Sequence, residues 1–84
     1  MSDDKRIVYV LKTDDNPPAY YTGLTSNLRE RLSAHNAGRC PHTASRRPWH
    51  VDIIVKFADE ARAGAFERYL KSGSGNAFAR RHLR

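Results

Sequence analysis

Only one cysteine, Cys40, occurs among the 84 residues, so an internal disulfide is excluded and packing alone must stabilise the fold. No apolar run approaches the roughly 20 residues needed to span a bilayer. The opening Met-Ser-Asp-Asp-Lys-Arg is not followed by the apolar stretch of a secretory signal. A lone thiol without an export signal leads us to expect a reducing, cytoplasmic setting. Internal repeats and low-complexity segments are also missing, and the length suits one domain with a small core. We therefore expect a single domain over residues 1–84.

Acid is scarce where it would matter to a polyanion. Fifteen Lys and Arg against nine Asp and Glu give a net charge of +6. Between Glu30 and Asp52 there is no acid at all, while Arg31, Arg39, Arg46 and Arg47 lie there with His35, His42 and His50. After Glu67 the chain adds Arg80, Arg81 and Arg84 and no further carboxylate side chain. So clustered an excess points to nucleic acid as partner.

The local patterns supply the elements. Ile7 to Leu11 is a continuous apolar run, short enough for a central strand buried on both faces. Lys12 to Ala19 carries Asp, Asn and Pro in turn chemistry, and Tyr20 to Leu24 reads as the returning strand of an antiparallel hairpin. A helix is predicted from about Ser26 to Ala37, capped by Thr25 or Ser26 and ended by Gly38. Its buried stripe is Leu28 and Leu32, with Arg31 and His35, also i, i+4, at the rim of that face.

Residues 39–49 form a basic loop ending at Trp49. Val51, Ile53, Val55 and Phe57 alternate along a third strand and should share one face. Asp59 caps a second helix from Glu60 to about Lys71, the Ser72-Gly73-Ser74-Gly75 run breaks it, and Asn76 to Leu83 forms a last basic helix. The order ββαβαα describes an α+β fold, a three-stranded antiparallel sheet flanked by helices.

Several residues carry chemistry. Tyr9 and Tyr21 lie on paired strands and can approach one site, and the Tyr20–Tyr21 pair must send one phenol to each side of the sheet. Glu67 interrupts the apolar side of the second helix, where an isolated carboxylate must find a basic partner or a cation. Cys40, His42, His50 and His35 invite a zinc reading, but Cys-x-His lacks the spacing of a zinc knuckle.

Taken together these residues resemble the GIY-YIG nuclease superfamily. Ile7-Val8-Tyr9 stands for the first tripeptide and Tyr21-Thr22-Gly23 for the second. Thr25-x-Asn27-Leu28-x-x-Arg31-Leu32-x-x-His35-Asn36-x-Gly38 follows the first-helix signature. Thr43, Arg46-Arg47-Pro48 and Phe66-Glu67-x-x-Leu70-Lys71 continue it. The resemblance covers about residues 6–72, with the basic helix 76–84 beyond. It is strongest to small stand-alone bacterial members related to the N-terminal endonuclease domain of the excision-repair incision subunit.

The resemblance implies a DNA endonuclease, structure-selective or weakly specific, that hydrolyses phosphodiesters with one Mg²⁺ or Mn²⁺ ion in DNA repair or processing. Glu67 would hold the metal, Arg31 would clamp the transition state, Tyr9 or Tyr21 would accept the proton of water, and His35 would assist or orient the phosphate. Arg39, Arg46, Arg47, Lys71, Arg80 and Arg81 would track the nucleic-acid backbone. Whether RNA is also cut, and whether Asn76 stands for the family's late asparagine, the sequence leaves open. Nothing requires more than a monomer. Leu24 replaces a lysine frequent in the family, and no appended DNA-binding domain accompanies the fold. Both features favour the alternative, a catalytically weak or partner-dependent nucleic-acid-binding module.

Overall fold

The computed structural model describes residues 4–84. β1 (Ile7–Lys12) and β2 (Tyr20–Thr25) form the hairpin, followed by α1 (Leu28–Asn36), a single 3-10 turn at Ala44–Arg46, β3 (His50–Lys56), α2 (Glu60–Lys71) and α3 (Gly73–His82). The order ββαβαα is the one expected. The sheet runs β2-β1-β3 with both pairings antiparallel. β1 is therefore central, and Val8, Tyr9, Val10 and Leu11 are all buried.

Alternation along β1 divides the interior into two layers. Val8 and Val10 face α2 and α3, packing with Ala63, Leu70 and Ala79, and with Phe57, Phe66 and Phe78 at the margin. Tyr9 and Leu11 face α1, packing with Trp49 and bordered by Leu28, Leu32 and Tyr21. Tyr20 joins the first layer and Tyr21 the second, so the two phenols do point to opposite sides.

Three local expectations are corrected. The cap of α1 is Asn27, whose Oδ1 accepts from the Glu30 N–H at 3.2 Å. Thr25 is the last residue of β2, and its hydroxyl accepts the Asn27 N–H at 3.0 Å, closing the turn that sets Asn27 in place. Second, β3 does not keep one apolar face. Val10 pairs with Ile53 but Leu11 with Val51, so Asp52 is an extra residue in a bulge. Val51 thereby joins the Tyr9 layer while Ile53 and Phe57 stay with Val8 and Val10.

Third, the Ser-Gly run breaks α2 at Ser72 as expected, but the last helix starts at Gly73 and not at Asn76. Ser72 caps α3, its Oγ accepting from the Gly75 N–H at 3.1 Å, and residues 73–75 are already helical. Gly75 is buried because the helix starts directly against the end of α2. A Cβ at that position would overlap the Tyr69 carbonyl and the Leu70 backbone. Ala79 faces inward and Leu83 packs on the same layer, as the pattern of the last helix suggested.

The overlap at Gly75 is with backbone, which cannot rotate away. Gly75→Ala should force α2 and α3 apart and cost about 1–3 kcal/mol, the range for overpacking. A urea unfolding series at neutral pH measures it, and an unchanged midpoint would contradict this account of the turn.

Candidate active site

The site is assembled from side chains on adjacent elements. Tyr9 stands in mid β1 directly opposite Gly23 on β2. The absence of a side chain there has a physical use, since a Cβ on Gly23 would overlap the Tyr9 ring. The phenol thus lies across the glycine toward α1. Tyr21 stands two residues earlier on the same face of β2, its ring centroid 6.4 Å from that of Tyr9. Arg31 and His35 come down from α1, one turn apart. His35 meets the Tyr21 ring edge-on, with centroids 4.8 Å apart.

Tyr9, His35 and Thr43 are all fully buried. The Tyr9 hydroxyl and His35 Nε2 are 3.0 Å apart, and His35 Nδ1 and the Thr43 hydroxyl 2.8 Å apart. The proton positions follow from what each partner can do. The Cys40 carbonyl can only accept, so the Thr43 hydroxyl donates to it and must accept from His35 Nδ1, which leaves Nε2 to accept the proton of the Tyr9 phenol. The imidazole proton then sits on Nδ1 and goes to Thr43. The Thr43 hydroxyl passes its proton to the Cys40 carbonyl at 3.3 Å.

Burial, and then the neighbouring Arg31 charge, hold the His35 pKa below the ordinary histidine value, which keeps this tautomer neutral. The loop carrying Thr43 is fastened to the rest of the layer. Trp49 Nε1 donates to the Thr43 carbonyl at 2.9 Å. Asn36 pairs with the Trp49 backbone in both directions, at 2.7 and 3.1 Å.

Tyr21, in contrast, is half-buried and opens onto a groove of about 310 Å³ lined by Tyr20, Thr22, Leu70, Lys71, Asn76 and Arg84. Burial raises its pKa, Tyr9 and Cys40 add to the rise, and the charges of Lys71 and Arg31 oppose it. Arg31 is itself raised, first by its hydrogen bond with Tyr9. Its Nε is buried without a hydrogen-bond partner among the described residues.

Glu67 and Lys71 enter from α2 as an i, i+4 ion pair, Glu67 with 15% of its side chain exposed and Lys71 with 51%. The Glu67 carboxylate holds the Lys71 pKa up, and both tyrosines act on it at longer range. The basic partner that the sequence required for Glu67 is therefore Lys71.

Of the residues assigned to the nucleic-acid backbone, Lys71 alone lines this groove. Arg80 is exposed one helical turn beyond the groove residue Asn76, and Arg81 is exposed beside it. Arg39, Arg46 and Arg47 are exposed in the loop after α1. Arg46 is engaged by Asp15 at 2.9 Å. Arg47 lies across Gly38, which ends α1 with φ of 79°, and donates to the Ala44 carbonyl at 2.7 Å. His42 and His50 are exposed and do not join Cys40, and no three His, Cys, Asp or Glu side chains gather into a metal-holding group among the described residues.

The sequence reading gave no role to Thr43 and counted Arg84 only as part of the basic tail. The only signal for the first was its place in the resemblance. Arg84 stacks its guanidinium 3.7 Å from the centroid of the Tyr20 ring at the groove wall.

These features define a class: a small α+β fold that gathers two phenols, a guanidinium and an imidazole on one face of the sheet, beside a groove to which α2 brings Lys71 with its partner Glu67. The family model of the GIY-YIG catalytic domain matches residues 5–81, and the chain belongs to that nuclease family. It is similar to UPF0213 proteins of bacteria. One from Listeria welshimeri is 39% identical over 81% of this chain and 74% of the relative. Another, from Staphylococcus haemolyticus, is 35% identical over 83% and 84%. A third, from Streptococcus pneumoniae, is 36% identical over 82% and 69%. No solved structure matches.

The lowered His35 pKa has a consequence for stability. The unfolded chain protonates this histidine near pH 6.5, whereas the native protein does so only at lower pH. Stability is fully present above that value and should fall as pH drops from about 6.5 toward the native pKa. Denaturant unfolding between pH 5 and 7.5 should show this slope for the wild type and a shallower one for His35→Gln.

Proposed function

We propose that the chain is a metal-dependent DNA endonuclease acting in repair or processing, with phosphodiester hydrolysis in the groove beside Tyr21. The observation that carries this reading is Glu67, a mostly buried carboxylate beside an otherwise basic groove. A module that only bound DNA would gain nothing from a negative charge there.

Glu67 also fits a divalent ion. It is a single hard oxygen donor, and its partner Lys71 is half exposed and able to turn toward phosphate. Mg²⁺ or Mn²⁺ held by Glu67, with water and phosphate oxygens as its other ligands, would supply Lewis-acid polarisation of the phosphate and stabilisation of the leaving oxygen.

The remaining work belongs to side chains already in position. Arg31, whose charge already acts on Tyr21, directs positive charge at the phosphoryl oxygens as their charge builds. Tyr21 is the phenol on the groove, so it aligns the attacking water and takes its proton. Its raised pKa leaves it protonated at neutral pH, and the Lys71 and Arg31 charges are the pull that lowers the cost of ionising it.

Tyr9 is fully buried and acts as a positioning residue, holding Arg31 on one side and His35 on the other. His35, equally buried, anchors Tyr9 and does not reach the phosphate. Arg84, Arg80 and Asn76 extend the groove along the backbone path, and the Arg39 to Arg47 loop adds charge beyond α1.

The test is nicking of supercoiled plasmid and branched DNA with Mg²⁺, with Mn²⁺ and with EDTA. Cutting should require the metal. It should fall by about 100-fold or more in Glu67→Gln and in Tyr21→Phe. The rate of the wild type should climb between about pH 7 and 9 as phenolate accumulates, and that climb should be absent in Tyr21→Phe. Salt-sensitive binding without cutting, the same in wild type and Glu67→Gln, would instead establish a binding module.

A further inference from the structure

β3 has only one neighbour in the sheet, so its outer edge is unpaired among the described residues. The hydrogen bond from the Phe57 N–H to the Arg6 carbonyl, at 2.9 Å, fixes which backbone groups point outward. Antiparallel pairs alternate, so Val55 and Ile53 direct their N–H and C=O toward β1. Ile54 and Lys56 present theirs to the open side. Ile54 is also the most exposed large apolar side chain among the described residues, at 54%. It stands in mid-strand directly opposite Tyr9.

Bare edges are commonly guarded by charges and bulges, and β3 has Asp52 at its bulge and Lys56 two residues past Ile54. Their placement is selective. In an antiparallel pairing of β3 with another β3 about a two-fold axis through Ile54, Ile54 meets Ile54 and the pair exchanges two backbone hydrogen bonds. Asp52 of each copy then lies opposite Lys56 of the other, and opposite charges so placed attract. Sliding the strands by four residues in either sense would set Lys56 against Lys56 or Asp52 against Asp52.

From this self-complementary register we infer that the β3 edge is a docking strand for a second copy of the chain, joining two sheets into one. The contact is short, below the roughly 1,200 Å² of stable interfaces. The pair therefore forms at high local concentration, as when two copies occupy one nucleic acid. None of Tyr9, Tyr21, Arg31, His35, Glu67 or Lys71 lies on β3, and the groove is lined from β2, α2 and the α3 end. Both grooves remain open in the paired form. The inference is independent of whether the site cuts.

Sedimentation of the full chain from micromolar to millimolar concentration, with and without a DNA duplex, tests it. The expected result is a reversible monomer–dimer equilibrium. Lys56→Asp, which sets two acids opposite each other twice, should weaken it about tenfold or more. The double exchange Asp52→Lys with Lys56→Asp restores both opposite-charge pairs and should recover the dimer. Circular dichroism keeps loss of pairing apart from loss of folding. A monomer under all conditions, a dimer indifferent to Lys56→Asp, or a failure of the double exchange to restore pairing would each overturn the proposal.

Discussion

The hydrogen bond between the Tyr9 hydroxyl and His35 joins the central strand to the first helix at a point with no access to water. Much of the α1 layer depends on it. The Arg31 charge acts on the same phenol, His35 donates its Nδ1 proton to Thr43, and Thr43 is tied to the Cys40 and Trp49 ends of the basic loop. Buried polar groups are tolerable only when partnered, and leaving one without its partner costs about 1–3 kcal/mol. The chain is satisfied in one arrangement of protons, which fixes the tautomer, the rotamers and the loop together. Tyr21 and the outer part of Arg31 rest on that rigid base.

The two layers of the interior have different tasks. Under α2 and α3 the contacts are apolar, Val8 and Val10 with Ala63, Leu70 and Ala79, and they hold the helices to the sheet. On the α1 side, polar side chains occupy positions where an ordinary core would place aliphatics. The groove arises along β2, where Lys71 from α2 and Asn76 and Arg84 from the last segment come beside Tyr21. A helix belonging to the apolar layer thereby brings Lys71, balanced by Glu67, beside the Tyr21 phenol of the polar one.

Much of this was legible in the sequence because it is encoded at short range. The i, i+4 spacing of Arg31 and His35, the doubled Tyr20–Tyr21 and the odd carboxylate Glu67 among apolar neighbours are local patterns that survive folding unchanged. The order of elements follows from the same kind of signal. Other features depend on contacts that no period announces. Thr43 meets His35 across a loop without regular structure. The bulge at Asp52 leaves the sequence alternation of β3 intact while exchanging the face on which Val51 lies. Gly73 and Gly75 look like breakers because glycine is poor in helices, yet Gly75 is dictated by the Tyr69 carbonyl that it must pass.

Gly23 shows a different kind of specification. Every other residue of the site contributes by what it carries, and this one by leaving its place empty so that the Tyr9 ring can lie over it. The aim of the phenol is set by its cross-strand partner, not by its own backbone. A single methyl group on β2 would therefore act as a steering error for Arg31 and His35 as well, although neither touches the position it occupies. In a site made of charges and protons, the tightest tolerance is a purely steric one.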